Sequence, residues 1–461
     1  MFCLAVLLVA CIFFMNKLQV DISYKQILSI ALPISFALFV PQLNFIINNI
    51  FLGHLSEEAL ATASITGVYY LIFAGIGFGL NNGLQALISR RAGENKPGEI
   101  GKIFNQGVLI SMIIAAFGIL FTYSIAPYIL KSTIQSDAIY TKAISFLYIR
   151  IWGLPFLYIY QMRNALLVGT NQSRYLVIGT FAEAASNLFF DYTFIFGKLG
   201  FPQLGFNGAA VASILAEFIG MFVIFLVIRW KGISRQFSLF KKISWDAHNA
   251  RLISSLSGPL VFQHAISIIS WFFFYILIAR NTDQTSLAVS NTMRNVFGFF
   301  GVFIWAFAAT TNSMVSNVIG QGKKEAVFGL IKKIISLNFL IAICVFVVLN
   351  IFPQIYLSIY GQNAAFIEQA VPVLRLVTVA MMLMSISTVW LNAVTGTGNS
   401  RATFVIELCA ITFYCVYVYA VLEWFGLGIF WGWMSEMIYW TILFALSFWY
   451  LKKGDWRKKV I

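Results

Sequence analysis

The chain has 461 residues, of which 60% are hydrophobic and 10% charged, and a formal charge of +14. A water-soluble protein of this size needs far more polar surface, and the apolar stretches run past the roughly twenty residues that cross about 30 Å of hydrocarbon. Their continuous apolarity excludes a transmembrane β-barrel, whose strands alternate polar and apolar residues, and five cysteines without a CxxC pair exclude a disulfide framework or a zinc site.

Residues 1–14 are apolar but too short to span, and lack both a basic leading region and an Ala-x-Ala cleavage site. Leu8-Val9-Ala10-Cys11 matches a lipoprotein-type cleavage pattern, but no Lys or Arg precedes it, so Met15 is the expected natural start. Windows of about nineteen residues predict twelve helices, near 26–53, 64–89, 103–130, 143–167, 174–197, 205–229, 252–279, 284–318, 334–352, 370–394, 402–422 and 427–450. The fold class expected is an all-α polytopic membrane protein. Its parts are an extension and cytoplasmic start over 1–25, a six-helix lobe over 26–230, an amphipathic surface linker over 231–251, a second six-helix lobe over 252–450 and a basic tail over 451–461.

Alternate loops and ends from Lys17 to Lys459 carry 23 Lys and Arg, whereas the opposite set carries only Lys131, Lys142, Lys198 and Arg280. By the positive-inside rule both termini are cytoplasmic, and the basic balance needs no nucleic-acid partner.

Sliding the sequence against itself gives one recurring register, 227 residues: Leu60-Ala61 falls on Leu287-Ala288; Ser89, Gly93 and Lys96 on Ser316, Gly320 and Lys323; Gly169-Thr170 and Ser173-Arg174 on Gly396-Thr397 and Ser400-Arg401. Six spans per half is an even number, so both halves enter the membrane from the same side. That is the parallel-repeat plan of alternating-access transporters, with substrate held between the halves.

Charged groups within spans are expensive and mark function by default. In helix 5, Glu183, Asn187 and Asp191 are spaced four apart and share one face. Glu183 lies ~13 Å in from the cytoplasmic end, Asp191 ~9 Å from the outer end, and Asn48 of helix 1 ~7 Å from its own outer end. Pro41 is expected to kink helix 1. Further buried acids are Glu217, Glu407 and Glu436. Glu407, close to its helix start, is expected to snorkel to the interface, and Arg294 is a candidate counter-ion for Glu407 or Glu436. Gln263 and His264 are the polar residues of helix 7, His264 being a candidate proton relay. No phosphate-binding loop, metal-ligand cluster or Ser-His-Asp set is present, so transport requires an ion gradient and no cofactor.

Ala31-Leu32-Pro33, Phe51-Leu52-Gly53-His54-Leu55, Ser89-Arg90-Arg91-Ala92-Gly93, Asp191-Tyr192-Thr193-Phe194-Ile195-Phe196-Gly197 and Leu204-Gly205-Phe206-Asn207-Gly208 follow in order, and Gly396 to Arg401 repeats the theme. In this order and spacing the chain resembles the multidrug and toxic compound extrusion (MATE) family from Ile27 to Trp449. The resemblance implies export of organic cations or xenobiotics in exchange for Na⁺ or H⁺ by a non-enzymatic antiporter of the plasma membrane. It carries the family's ion-coupling cluster onto Asn187 and Asp191, with Asn48 where members place a helix 1 Asp and Glu183 as an auxiliary acid. Asp191, Asn187 and Asn48 are also a candidate Na⁺ ligand set, since hard cations prefer oxygen ligands. The acids some members carry in the second lobe fall near Ser267 and Ser385 to Ser387. Gln42, Glu217, Gln263, His264, Ser267 and Arg294 are the expected substrate cavity. The expected partners are a small organic substrate and membrane lipid, with the chain acting as a monomer. A lipid-linked oligosaccharide flippase of the same superfamily is the alternative; it would favour a cationic cavity, for which only Arg163, Arg294 and Arg150 are available.

Overall fold

The structure, a computed structural model, describes residues 17–134, 136–241, 244–358, 360 and 364–459, without the side chains of Glu57, Leu60 and Ala61. The extension with its expected start at Met15, and Lys242 and Ile243 of the linker, lie outside the described residues.

The first lobe comprises α1 (Tyr24–Leu55), α2 (Glu57–Gly93), α3 (Pro97–Ser124), α4 (Asp137–Gly169), α5 (Leu176–Phe196) and α6 (Phe206–Trp230). The second comprises α7 (Ala247–Asn281), α8 (Gln284–Gly320), α9 (Val327–Ile351), α10 (Ala364–Gly396), α11 (Ser400–Trp424) and α12 (Ile429–Lys453). Side chains that satisfy the orphan N–H groups start several of them: Ser23 accepts from Gln26 N, Ser56 from Ala59 N, Asp246 from His248 N and Asn249 N, and Asp283 from Ser286 N. All of these helices except α5 are long and apolar enough to cross a membrane by length and composition. The exception carries Glu183, Asn187 and Asp191 within 21 residues.

Three spans differ from their expected course. α3 stops at Ser124 and a separate short helix, Ala126–Thr133, follows. α4 begins earlier, at Asp137, and is interrupted by a 3-10 turn at Ile151–Gly153. Pro155 lies just after that turn and cannot donate to the carbonyl four residues back. α12 is split between Ile429–Trp433 and Ser435–Lys453. α1 runs as one helix through Pro33 and Pro41. In the linker, Ile233 and Phe237 are buried while Trp245 is exposed, and Phe240 N donates to Asn105 Oδ1 of α3 at 3.1 Å.

Within each lobe the fifth helix packs on the first and sixth: α5 on α1 and α6, α11 on α7 and α12. Among the described residues, the hydrogen bonds and ring contacts that join the lobes begin at mid-bundle, with Phe39 against Phe299 at 5.0 Å. They continue only toward the end that carries the termini. There Gln85 donates to Ala309 O (2.8 Å), Ser89 meets Ser313 (2.8 Å), Arg90 donates to Gly396 O and Thr397 O (3.3 and 3.1 Å), and Asn317 donates to Leu18 O (2.8 Å). Gly93 and Gly320, matched by the repeat, meet where α2 crosses α8. A Cβ on Gly93 would lie 2.0 Å from Asn317 O, and one on Gly320 2.4 Å from Arg90 O. Gly93→Leu or Gly320→Leu is therefore expected to pry this end apart.

The basic asymmetry predicts that the end carrying the termini faces the cytoplasm. Lys323→Cys in the α8–α9 loop should react with an impermeant maleimide only in inside-out vesicles, and Lys198→Cys in the α5–α6 loop only in right-side-out vesicles. The reverse pattern would invert the topology.

Candidate functional site

α5 and α1 bring four polar residues together in the half of the first lobe away from the termini. Asp191 is fully buried, and its Oδ1 has no hydrogen-bond partner among the described residues. Turned so that its nitrogen faces the carboxylate, the Asn48 amide donates to Asp191 Oδ2 across 2.6 Å and brings its oxygen 3.1 Å from Asn187 Oδ1, so two amide oxygens face each other; amide orientations follow from such networks. Asn44 Nδ2 then lies 3.3 Å from Asn187 Oδ1. The cluster thus contains Asp191, Asn187 and Asn48 as expected, and adds Asn44. Asn44 and Asn48 are one turn apart on α1, as Asn187 and Asp191 are on α5, so two amide-bearing faces meet. That repeated spacing of four was the available signal for Asn44.

Glu183 is half-buried and lies against α6, where a Cβ on Gly220 would come within 2.8 Å of its own Cβ. It does not bond to the amide cluster. One turn along α6, Glu217 is 7% exposed and holds Arg150 in a two-pronged pair, Nη2 to Oε1 at 2.5 Å and Nη1 to Oε2 at 2.9 Å. The Tyr70 ring lies 3.7 Å beneath the guanidinium, and its hydroxyl donates to Glu217 Oε1 at 3.3 Å. The break in α4 directly follows Arg150, and a Cβ on Gly153 would strike both Glu217 Oε2 and Arg150 Nη1, at 2.3 and 2.4 Å. Among the described residues, Glu217 is the carboxylate paired with Arg150.

In the second lobe, Glu407 does not snorkel. It is 3% exposed, and it accepts from Ser267 Oγ (2.9 Å), Tyr439 Oη (2.5 Å) and Gln263 Nε2 (3.4 Å). α11 starts at Ser400, so Glu407 sits about two turns inside it, and donors converge on it from α7 and α12. These are neutral groups that satisfy a buried carboxylate without a counter-charge. Glu436 accepts from Trp440 Nε1 at 2.9 Å. Arg294 is not a counter-ion for either acid: among the described residues no carboxylate lies within 4 Å of it, and its guanidinium sits 5.4 Å over the Tyr275 ring on an exposed stretch of α8.

The six residues expected to line one cavity thus fall in four places. Gln42 faces Gly298 across the seam between the lobes, with 4.0 Å between its Oε1 and the position of a Cβ there. His264 reaches the same seam, its Nε2 3.5 Å from Asn82 Nδ2. Gln263 and Ser267 turn inward to Glu407, Glu217 is engaged by Arg150, and Arg294 is exposed.

Replacing Glu407 tests whether its cluster carries stability. Glu407→Gln retains an acceptor for its neighbours, whereas Glu407→Leu strands Gln263 and Tyr439 at about 1–3 kcal/mol per unsatisfied group, Ser267 keeping Gln263 O at 3.0 Å. The unfolding midpoint of the purified protein in detergent should fall for Leu and change little for Gln. Equal midpoints would refute the role.

The family model MatE matches residues 33–193 and 259–420, one segment in each lobe. A curated relative, the probable multidrug resistance protein NorM of Thermotoga maritima, is 22% identical over 458 residues, covering 97% of this chain and 96% of that one. Two solved structures share the fold. One is the outward-facing conformation of a multidrug resistance MATE family transporter of the MOP superfamily, with TM-score 0.86 and 19% identity, covering 96% of this chain and 98% of that one. The other, with TM-score 0.87, 18% identity and the same coverages, is a MOP superfamily transporter from Pyrococcus furiosus whose reversed pocket polarity suggested a different function. With both lobes matched by one family model, and a two-lobe helical bundle to go with it, the chain belongs to the MatE family of multi-pass, non-enzymatic membrane transporters.

Proposed function

We propose that the chain is a secondary active antiporter that exports organic cations or xenobiotics across the plasma membrane in exchange for Na⁺ or H⁺. The observation that carries this reading is Asp191, a fully buried carboxylate with one oxygen unpartnered among the described residues and three asparagine amides around it. A charge so placed is costly unless a cation shares the site. Asn187, Asn48 and Asn44 add amide oxygens, and such hard ligands favour Na⁺. Burial also raises a carboxyl group's proton affinity in general, which is the route for H⁺. Glu183, one turn from Asn187 on the same helix and toward the terminal end, is the acid placed to receive or release the ion from that direction.

The lobes are joined from mid-bundle to the end carrying the termini. With both termini cytoplasmic, this is the outward-facing half of an alternating-access cycle, and the seam at Gln42 and His264 is the floor of the substrate path. The chain acts as a monomer, because both lobes of the path belong to one polypeptide. A flippase for lipid-linked oligosaccharides would need a cationic cavity. Glu217 offsets the charge of Arg150, which leaves Arg163, held against Met221 O, and the exposed Arg294, too few for a strongly cationic cavity.

Expression in a strain lacking its own exporters separates the two readings. Raised resistance to organic cations supports export, whereas unchanged resistance together with rescue of a strain that accumulates lipid-linked intermediates would overturn it.

A further inference from the structure

The repeat-related turns at the terminal ends of the two lobes differ in one respect that opens a cavity. In the first lobe, Ser173 Oγ donates to Ser29 O at 3.4 Å, and in the second Ser400 Oγ donates to Ser255 O at 3.3 Å, so the two α1–α5 and α7–α11 corners are built alike. Asn171 occupies the first corner in left-handed conformation, φ +62°, and its side chain fills it, accepting from Gln26 Nε2 at 2.8 Å and donating to Lys17 O at 3.4 Å. The 227-residue register places Gly398 at the same point of the second corner, with φ +87°. Where the first lobe has a plug, the second has a cavity of about 240 Å³ lined by Leu252, Ser255, Leu256, Gly398, Ser400, Arg401 and Lys459.

The charged residues of the lining, Arg401 and Lys459, are both cationic. Among the described residues no carboxylate lies within 4 Å of Arg401 or Lys459, and the nearby acids are engaged elsewhere: Asp455 with Lys458 at 2.9 Å and Glu325 with Arg457 at 3.4 Å. Partial burial, and then repulsion from Arg401 and Arg90, push the Lys459 ammonium below its ordinary range. Arg90 belongs to the other lobe and binds the carbonyls of Gly396 and Thr397 in this same turn. Ser255 and Ser400 give their hydroxyl hydrogens to Leu252 O and Ser255 O, at 2.9 and 3.3 Å, and so shape the corner; the first turn of α11 opens at the cavity with its positive dipole end, and Leu252 and Leu256 supply an apolar wall.

We propose that this cavity is a binding site for a phosphate-bearing anion at the basic face of the membrane. Two cations and a helix start beside a cavity suit a phosphate group, and basic pockets between helices on the cytoplasmic side hold lipid head groups. Because Arg90 reaches the turn from the first lobe, the occupant adds a tie across the end where the lobes are closed.

The purified full-length chain in dodecyl maltoside micelles is to be titrated separately with phosphatidylglycerol, phosphatidylcholine and inorganic phosphate while the unfolding midpoint is followed. Phosphatidylglycerol should raise the midpoint saturably and phosphatidylcholine should not. Arg401→Gln with Lys459→Gln should raise the half-saturating concentration roughly 30-fold, the loss expected for two cations near a membrane surface. Gly398→Asn keeps every charge and installs the plug of the first lobe, so it should abolish the shift. A saturable shift with inorganic phosphate identifies free phosphate as the source, and a response to phosphatidylglycerol alone identifies the lipid head group. No shift with either anion, or shifts of equal size in wild type and both variants, overturns the proposal.

Discussion

Asp191→Asn is expected to reduce gradient-driven export to background while leaving expression and membrane insertion intact. The substitution preserves the shape of the side chain and its contact with Asn48, 2.6 Å away, so the packing of α5 on α1 is unaltered. What it removes is the one ionisable group among four amide or carboxyl side chains. Neutral amides alone do not hold a proton, and without a carboxylate they bind a monovalent cation far more weakly. Uptake of tetraphenylphosphonium into inside-out vesicles under an imposed Na⁺ or H⁺ gradient measures this directly. Full transport by the variant would move the coupling role to Glu183 or Glu217.

Arg150→Met is expected to be the most destabilising single change in the first lobe. It leaves Glu217, 7% exposed, as an uncompensated charge beside the Tyr70 ring, and breaking a buried pair in this way costs about 3–5 kcal/mol. The double variant Arg150→Met with Glu217→Met should recover most of that loss, because two apolar chains of similar volume remove both desolvation penalties. Unfolding midpoints in detergent and the yield of monodisperse protein check both statements. A single variant as stable as wild type would show that the pair is solvated and structurally idle.

The fold was largely legible because hydrocarbon tolerates few solutions. Twelve helices and the 227-residue register both follow from length and from matched Gly, Ser and basic residues. The reason for one of those matches becomes visible only in three dimensions, where Gly93 and Gly320 let α2 and α8 cross. Hydropathy windows do not register backbone breaks, so the 3-10 turn before Pro155 was hidden within a continuous apolar span. The amide–carboxylate cluster was legible from the spacing of Glu183, Asn187 and Asp191, but Asn44 was missed even though it repeats that spacing with Asn48. The contacts least accessible from sequence are those between residues far apart in the chain. Arg150 and Glu217 are separated by 67 residues, and Glu407 is reached by Gln263 and Ser267 from 144 and 140 residues away. A carboxylate near a helix start is expected to reach for water. Glu407 has no need to, because α7 and α12 bring it three donors.

Transport by the purified wild-type protein in proteoliposomes is the most direct measurement. Vesicles with the cytoplasmic face outward, given tetraphenylphosphonium outside and an imposed inward-to-outward gradient of Na⁺ or of H⁺ in separate trials, should accumulate the organic cation under one of the two gradients. The accumulation should collapse when that gradient is dissipated. Accumulation that is indifferent to both gradients, or none under either in vesicles that retain folded protein, would contradict ion-coupled export.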